Sequence, residues 1–406
     1  MPLTDLTDWL AQFSGPNHIW FVKRLSGNDT LATKAHQAGP YIPKEFLFEI
    51  FPELHRPKAK NPDKIFPLYI DSHADRRDVR AIWYNNKLHG GTRNESRITG
   101  FGGAASALLD PDSTGALTIF AFNPKKGECH VWVCQHETEE DIVEERIGPV
   151  EPGKALVWSP RGLAEEVPAV PKVRANCWLT AKEIPPQWRR HFPSGEEIIR
   201  KTVEVRAENA LNPDKRLLRR RECEFEIFRS VEEAVELPAI KAGFGSIEEF
   251  MARAQTILQR RKARSGRSLE LHAKALFVEE GLKEGTQFVH QPPEADAGKR
   301  GPDFLFPSYA AYSDSSFPVA RLRMLAAKTT CKDRWRQILT EADRIKTKHL
   351  LTLQEGVSEK QFQEMVGAGV QLVVPEPLKK TFPSSVQEHL QTVESFIADV
   401  RLLNRK

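Results

Sequence analysis

A proline-rich passage divides the chain into two halves whose hydrophobic patterns differ. Its prolines are Pro168, Pro171, Pro185, Pro186 and Pro193. Proline removes a backbone donor and restricts the residue before it, so such a passage interrupts helices and sheets and is typical of a linker. At 406 residues the chain is long enough for two domains. We therefore predict a first domain at 1–178, a linker at 179–191 and a second domain at 192–406.

The first half is rich in short runs of β-branched and aromatic residues, with polar turn formers between them. These runs predict strands at His18–Arg24, Phe66–Ile70, Val79–Tyr84, Ala116–Phe122 and Cys129–Cys134. Many short strands joined by long polar loops favour a barrel or sandwich over a parallel sheet.

In the second half, helical and strand-like patterns alternate. Helices are predicted from a capping sequence at 245–249 to the basic residues near 260, at Ser268–Leu282, at Arg334–Lys346 and at Glu359–Val366. Strands are predicted at Asp303–Phe306, Leu322–Thr329, His349–Leu353 and Val370–Val374. This alternation indicates a layered α/β domain.

Composition excludes some classes of protein and leaves others open. The mean hydropathy of −0.47 and the lack of a long apolar run argue against a membrane span. The first residues lack the basic start and apolar core of a signal peptide, which favours a cytoplasmic protein. The net charge of +4 permits a nucleic-acid partner without requiring one, and the basic clusters at 215–221 and 260–267 alone indicate only solvated helix faces.

The five cysteines are odd in number and scattered, so no disulfide framework is predicted. Cys129 and Cys134 lie five positions apart in a predicted strand. Their side chains should therefore be on opposite faces, which favours buried thiols over a zinc site.

Two charged residues stand at the ends of predicted strands in the second half. Asp303 begins one strand, and Lys328 lies near the end of the next, 25 positions later. Because neighbouring strands can bring their ends together, the carboxylate and the ammonium are candidates to converge. Glu341 lies on the apolar side of the helix predicted at Arg334–Lys346. Glu270, in the first turn of the Ser268 helix, can add another carboxylate.

These residue types suit the hydrolysis of a phosphodiester bond. Hard cations such as Mg²⁺ prefer oxygen ligands, and Asp303 with Glu341 or Glu270 is a candidate ligand set. The metal would stabilise charge on the phosphoryl and leaving oxygens, while Lys328 orients the attacking water or stabilises the transition state. A network of structural ion pairs is the alternative interpretation of the same residues.

Longer segments of the chain resemble a known family. In the second half they are RRKARSGRSLELH (260–272), PDFLFPSYAAY (302–312), KTTCKDRWRQILTEAD (328–343) and LQEGV (353–357). In the first half and linker they are FVKRLSGNDT (21–30), HQAGPYIP (36–43), TRNESRIT (92–99) and FPSG (192–195). Over nearly its whole length the sequence resembles the EcoRII-type (Type IIE) restriction endonucleases, and its second half is also similar to the PspGI and SsoII enzymes.

The resemblance implies a fold for each half. The first would be a β-rich DNA-binding pseudobarrel similar to plant B3 domains. The second would be an α/β domain with the PD-(D/E)xK restriction-endonuclease-like fold.

The resemblance also implies site residues. The family's catalytic positions fall on Glu270, Asp303, Lys328 and Glu341, with Tyr312 and Lys332 near the site. A packing role for Tyr312 and a phosphate contact for Lys332 are the simpler interpretations. Ala326 stands where the family pattern usually has an acidic residue, and Glu341 takes over that role.

The DNA-binding positions of the family are spread over both halves. They fall on His36, Tyr41, Arg93, Glu95, Arg97, Arg221, Lys262 and Arg264. Arginine can read guanine and glutamate can accept from the cytosine amino group. Gly91 and Ser96 stand where lysines are expected, which would weaken phosphate binding.

The resemblance implies a Mg²⁺-dependent enzyme that cuts double-stranded DNA at a CCWGG-like site and leaves 5′ overhangs. It would be a homodimer through the second domain. The first domain would bind an additional copy of the site and restrain cleavage until it does. The alternative is a sequence-specific DNA-binding regulator with an inactive nuclease centre. A methyltransferase is disfavoured because the chain lacks a glycine-rich cofactor loop and a Pro-Cys motif.

Overall fold

The computed structural model describes residues 5–34, 39–102, 105–159, 177–293 and 301–403. The chain divides into two compact units. The first unit comprises 1–172 with the later segments 354–363 and 380–388, and the second comprises 173–353, 364–379 and 389–406. The boundaries at 178 and 192 stay a prediction.

The first unit is built on a seven-stranded sheet. Its strands are β1 (Ile19–Arg24), β2 (Asp63–Ile70), β3 (Asp75–Tyr84), β4 (Glu95–Thr99), β5 (Leu117–Asn123), β6 (Glu128–Val133) and β7 (Ala155–Trp158), and its helices include α1 (Asp5–Phe13), α2 (Lys44–Ile50) and α3 (Glu137–Ile147). The strand order is β4-β3-β2-β6-β5-β1-β7, antiparallel except for the parallel pair β2 and β6. The five predicted strands are thus present, and β4 and β7 are additional.

Alternate side chains of these strands enter two separate apolar clusters. Phe21 and Phe120 belong to one, and their strand neighbours Trp20 and Ile119 belong to the other. This is the period of two that a strand imposes on its side chains. Cys129 and Cys134 also fall in different clusters as free, buried thiols, and burial raises the pKa of Cys129. Their interpretation as buried cysteines on opposite faces is confirmed.

The second unit is a mixed sheet with helices. Its strands are β8 (Val289–His290), β9 (Phe304–Phe306), β10 (Arg323–Ala327), β11 (Lys348–Leu351) and β12 (Val370–Val373), in the order β12-β11-β10-β9-β8. The remaining helices of the chain are α4 (Pro186–Arg190), α5 (Gly195–Val205), α6 (Pro213–Ala242), α7 (Ile247–Glu279), α8 (Tyr309–Ser313), α9 (Glu359–Gly367), α10 (Ser384–Gln387) and α11 (Val393–Leu403). Strand β11 pairs in parallel with both β10 and β12. Strand β9 pairs antiparallel with both β8 and β10. The predicted β-rich first half and α/β second half are confirmed.

Three predictions that bear on the second unit are wrong. The helices predicted on either side of residue 265 are one helix, α7, whose polar side forms ion pairs with α6. The predicted helix Arg334–Lys346 is a short 3-10 helix, Arg334–Thr340, and the chain then turns through Ala342 in a left-handed conformation, φ 49°. Cys177 and Cys223 form a disulfide, because the fold brings their Cα atoms within 5.2 Å across 46 positions.

Candidate active site

Asp303 and Lys328 meet at one edge of the second sheet. Asp303 directly precedes β9 and Lys328 directly follows β10, and the antiparallel pairing of these strands places the two side by side. The Asp303 carboxylate accepts from the main-chain N–H of Ala327 at 2.7 Å, and the Lys328 Nζ lies 3.5 Å from the same oxygen. Both side chains are almost buried, at 10% and 13% exposure. The predicted convergence of this pair is confirmed.

Glu270 reaches the same edge from α7 through two residues that sequence reasoning missed. His290 Nε2 contacts the Glu270 carboxylate at 2.5 Å, and Gln291 Nε2 donates to the same oxygen at 2.8 Å. The main-chain N–H of Gln291 donates to the carbonyl of Asp303 at 2.9 Å. Glu270, Gln291, Asp303 and Lys328 are therefore joined by a continuous set of contacts. A two-residue strand, β8, gives too short a pattern to detect in the sequence.

The surroundings of Glu270 favour its ionised form. Burial alone would raise the pKa of this carboxyl group. The hydrogen bond and charge of His290, with smaller contributions from Gln291 and Arg267, outweigh burial and hold the pKa below its ordinary value. Glu270 is thus a carboxylate at neutral pH, as a cation ligand must be.

Glu341 is buried, as predicted, but on an irregular segment. It is 4% exposed and follows the 3-10 helix Arg334–Thr340. Lys348, itself 5% exposed, donates to the main-chain carbonyls of Glu341 at 2.6 Å and of Ala342 at 2.9 Å. Burial lowers the pKa of Lys348, while Asp343 and Glu341 act in the opposite direction. Lys348 therefore fixes the backbone that carries Glu341.

Tyr312 lies in the short helix α8, and Lys332 lies in a turn of the same unit. Tyr312, in α8, is 8% exposed, and Arg344 donates to its main-chain carbonyl while stacking over its ring at 5.7 Å. Lys332 is half-buried in the turn that follows Lys328. The packing role considered for Tyr312 agrees with this burial.

The predicted DNA contacts of the second unit lie on α6 and α7. Arg264 makes a two-pronged ion pair with Glu224, at 2.8 and 2.7 Å, and Arg221 contacts the same carboxylate at 3.4 Å. Glu224 is 2% exposed, and both arginine side chains are at most 7% exposed. Lys262 is exposed on α7. In this conformation Arg221 and Arg264 meet at Glu224, where α6 packs on α7. Of the three predicted contacts, Lys262 is the exposed one.

The predicted DNA contacts of the first unit gather around β4. Arg93 and Arg97 flank Glu95, with N–O distances of 2.6 and 3.5 Å. Tyr41 forms a β-bridge with Arg97 and is 42% exposed. Burial, followed by the charges of Glu45 and Glu95, raises the pKa of Tyr41. His36 lies outside the described residues.

Two further features of the region around β4 and Tyr41 were not predicted. Lys23 Nζ donates to the carbonyl of Tyr41 at 3.3 Å and lies 5.9 Å from its ring centre. Ser96 is fully buried and its hydroxyl donates to the carbonyl of Ile42. A residue at 96 therefore faces the protein interior in this fold.

No three histidine, cysteine, aspartate or glutamate side chains converge closely enough to form a metal-binding group in the part of the chain that the structure describes. None of the described helices combines the length and apolarity needed to cross a bilayer.

Comparison with known families accounts for both halves. The family model for the EcoRII C-terminal domain matches residues 228–397, and the model for the N-terminal domain of restriction endonuclease EcoRII matches residues 14–162. The Type II restriction enzyme EcoRII of Escherichia coli is 44% identical, over 98% of this chain and 98% of its own.

Solved structures also resemble part of the chain. Metal-depleted Ecl18kI in complex with uncleaved, modified DNA covers 54% of this chain and 81% of its own, at 19% identity and a TM-score of 0.45. A PspGI–substrate DNA complex covers 53% and 94%, at 17% identity and a TM-score of 0.42. The family models and the 44% identity decide the matter: this chain belongs to the EcoRII family of Type II restriction enzymes.

Proposed function

We propose that this protein is a Mg²⁺-dependent, site-specific endonuclease that cuts both strands of DNA at a CCWGG-like sequence and leaves 5′ overhangs. The observation that carries the proposal is the pairing of Asp303 with Lys328 at the edge of β9 and β10, with Glu270 attached through Gln291. Family membership supplies the reaction class, and these side chains supply the chemical groups it needs.

The carboxylates have the chemistry of a magnesium site. Magnesium keeps several waters and takes one or two protein carboxylates together with a substrate phosphate. Asp303 with Glu270 is the pair best supported by contacts, and Glu341 is the other candidate. The ion would stabilise negative charge on the phosphoryl and leaving oxygens.

Each protein group has a proposed task. Asp303 holds the cation and, through its ion pair, the ammonium of Lys328. Lys328 orients the attacking water and stabilises charge on the scissile phosphate, where a fixed donor in a water-poor site is most effective. Tyr312 would act from α8 and Lys332 from the turn after Lys328, Lys332 through a backbone phosphate of the DNA.

A two-fold symmetric site needs a two-fold symmetric reader, so we propose a homodimer through the second domain. The patch of Tyr41, Arg93, Glu95 and Arg97 is proposed to bind a further copy of the site. Until that copy is bound, the first domain restrains cleavage. Lys262 would contact the cut DNA, and Arg221 and Arg264 would do so after exchanging Glu224 for phosphate.

Incubating plasmid with the intact protein tests the proposed function. We expect discrete linear fragments with Mg²⁺ and none with a chelator. A protein that binds the same plasmid but leaves it uncut at every Mg²⁺ concentration would instead be the regulator with an inactive centre.

Replacing Lys348 by methionine should slow cleavage without weakening DNA binding. The Lys348→Met variant keeps the side-chain length but removes the donor to the carbonyls of Glu341 and Ala342. Loss of such supporting contacts typically costs about 10- to 100-fold in activity. Single-turnover rates measure the effect, and Lys346→Met, at an exposed position on the same segment, is the matched control. Equal rates for the two variants would refute a role for Lys348.

Replacing Arg93 by alanine should remove activation by a second site. In the intact protein, a short duplex carrying the site should speed cleavage of a one-site plasmid by about 5- to 150-fold, the usual range of coupling between sites. Arg93→Ala should lose this response because it removes a cation from the proposed effector patch. The exposed Arg80→Ala variant, 44% accessible on neighbouring β3, should keep it. An Arg93→Ala protein that is still activated normally would exclude this patch as the effector site.

A further inference from the structure

Gln291 has an unusual backbone for its residue type. Its φ angle is 47°, in the left-handed region that glycine adopts freely and other residues adopt at a cost. Glutamine gains no local compensation there, unlike asparagine or aspartate, whose short side chains bond to nearby backbone. Gln291 is also exposed, so packing in a core does not account for its identity. Strained positions of this kind cluster at functional sites.

The two polar ends of Gln291 act on two different site residues. Its main-chain N–H donates to the carbonyl of Asp303 at 2.9 Å, and its side-chain amide donates to the Glu270 carboxylate at 2.8 Å. Gln291 makes both contacts from a left-handed backbone conformation directly after β8. Gln291 thus connects Glu270 of α7 to Asp303, the residue directly before β9.

His290 contacts the same carboxylate. Its Nε2 contacts the oxygen of Glu270 that Gln291 also contacts. The imidazole is 6% exposed and packs against the ring of Phe304, with centroids 5.2 Å apart. Because His290 pairs with Phe304 across β8 and β9, the histidine is held by the same strand that positions Asp303.

We propose that His290 and Gln291 are positioning residues, a clamp that sets the Glu270 carboxylate relative to Asp303 so that both can serve one divalent cation. The clamp rests on the proposed function, because it acts on two of its candidate ligands. It leaves one oxygen of Glu270 clear of both clamp contacts, since both donors use the other. Supporting residues of this kind orient the ligands of a metal and tune its affinity.

Two variants of Gln291 separate positioning from stability. Gln291→Gly removes the amide and relieves the left-handed backbone, so its Tm should equal or exceed that of the wild type. Gln291→Met removes the amide but keeps the bulk and the strain. If the amide matters, both variants should need about 10- to 100-fold more Mg²⁺ for half-maximal cleavage. Their Kd for DNA should be unchanged.

His290 offers a conservative rescue. Glutamine places its amide nitrogen near the position of imidazole Nε2, whereas leucine has no donor. We therefore expect His290→Gln to keep most of the Mg²⁺ response and His290→Leu to lose it. Lys283 is exposed on the turn before β8, and Lys283→Ala is the control for the Gln291 variants and for the His290 variants.

A second readout does not depend on turnover. Binding of Mn²⁺ to the intact protein is measured by electron paramagnetic resonance, with a duplex whose cut position carries a non-hydrolysable phosphonate. Gln291→Gly and His290→Leu should weaken binding by the same factor that their Mg²⁺ requirement rises. Wild-type Mn²⁺ affinity and Mg²⁺ response in both variants would overturn the clamp. Failure of the wild type to cut would instead refute the proposed function.

Discussion

Asp303→Asn and Lys328→Ala should each reduce cleavage by on the order of 10²- to 10³-fold or more, while specific DNA binding survives. Asn keeps the shape of the Asp303 side chain but removes the charge that holds the cation and pairs with Lys328 at 3.5 Å. Alanine at 328 removes the only group of the pair that can stabilise the phosphate directly. Single-turnover cleavage and a mobility-shift titration without divalent metal measure the two properties separately.

Lys283→Ala serves as the surface control for this pair and should cut at the wild-type rate. If either Asp303→Asn or Lys328→Ala cuts as fast as this control, the site is elsewhere. If Asp303→Asn and Lys328→Ala both fail to bind DNA as well, these residues maintain the fold, and their loss of cleavage is not evidence of a catalytic role.

Glu224→Gln should be strongly destabilising. The Glu224 carboxylate is the shared partner of Arg264, Arg221 and the Ser268 hydroxyl, in a setting where all the charged groups are nearly buried. Removing one member of a buried ion pair leaves the others uncompensated and costs about 3–5 kcal/mol. For a unit of this size that corresponds to a fall in Tm of about 6–20 °C.

The neighbouring Glu222→Gln change is the matched control, because Glu222 is exposed on the same helix. A Tm for Glu224→Gln within a degree of this control would show that the α6–α7 ion pairs contribute little to stability.

Burial alone would raise the pKa of Glu224, but Arg264 and Arg221 lower it below its ordinary value. The stability it contributes is therefore present at neutral pH and is lost as the pH falls through the pKa of the folded state.

Local patterns predicted the strands and the central charged pair well. The β-branched runs identified β1, β2, β3, β5 and β6 to within a few residues, because one face of each strand must be apolar. Asp303 and Lys328 were found because both stand where an apolar strand begins or ends. Burial of Glu341 followed from its place among apolar residues, although the helix assigned to it was wrong.

The remaining features depend on contacts between distant parts of the chain. The arginine-rich stretch in the middle of α7 continues as helix because its charges meet glutamates of α6, 29 positions away for Arg261 and Glu232. The disulfide joins residues 46 apart. Gln291 and His290 become site residues only when β8 pairs with β9. Periodicity within one segment carries none of this information.

Sequencing the ends of plasmid fragments tests the central claim most directly. The intact protein and Mg²⁺ should produce ends that all begin at a CCWGG-like sequence, cut before its first cytosine on both strands, so that the 5′ overhang spans the site. The Asp303→Asn protein, treated identically, should yield none. Ends scattered over unrelated sequences, or the same ends from Asp303→Asn, would contradict a site-specific endonuclease built on the Asp303–Lys328 pair.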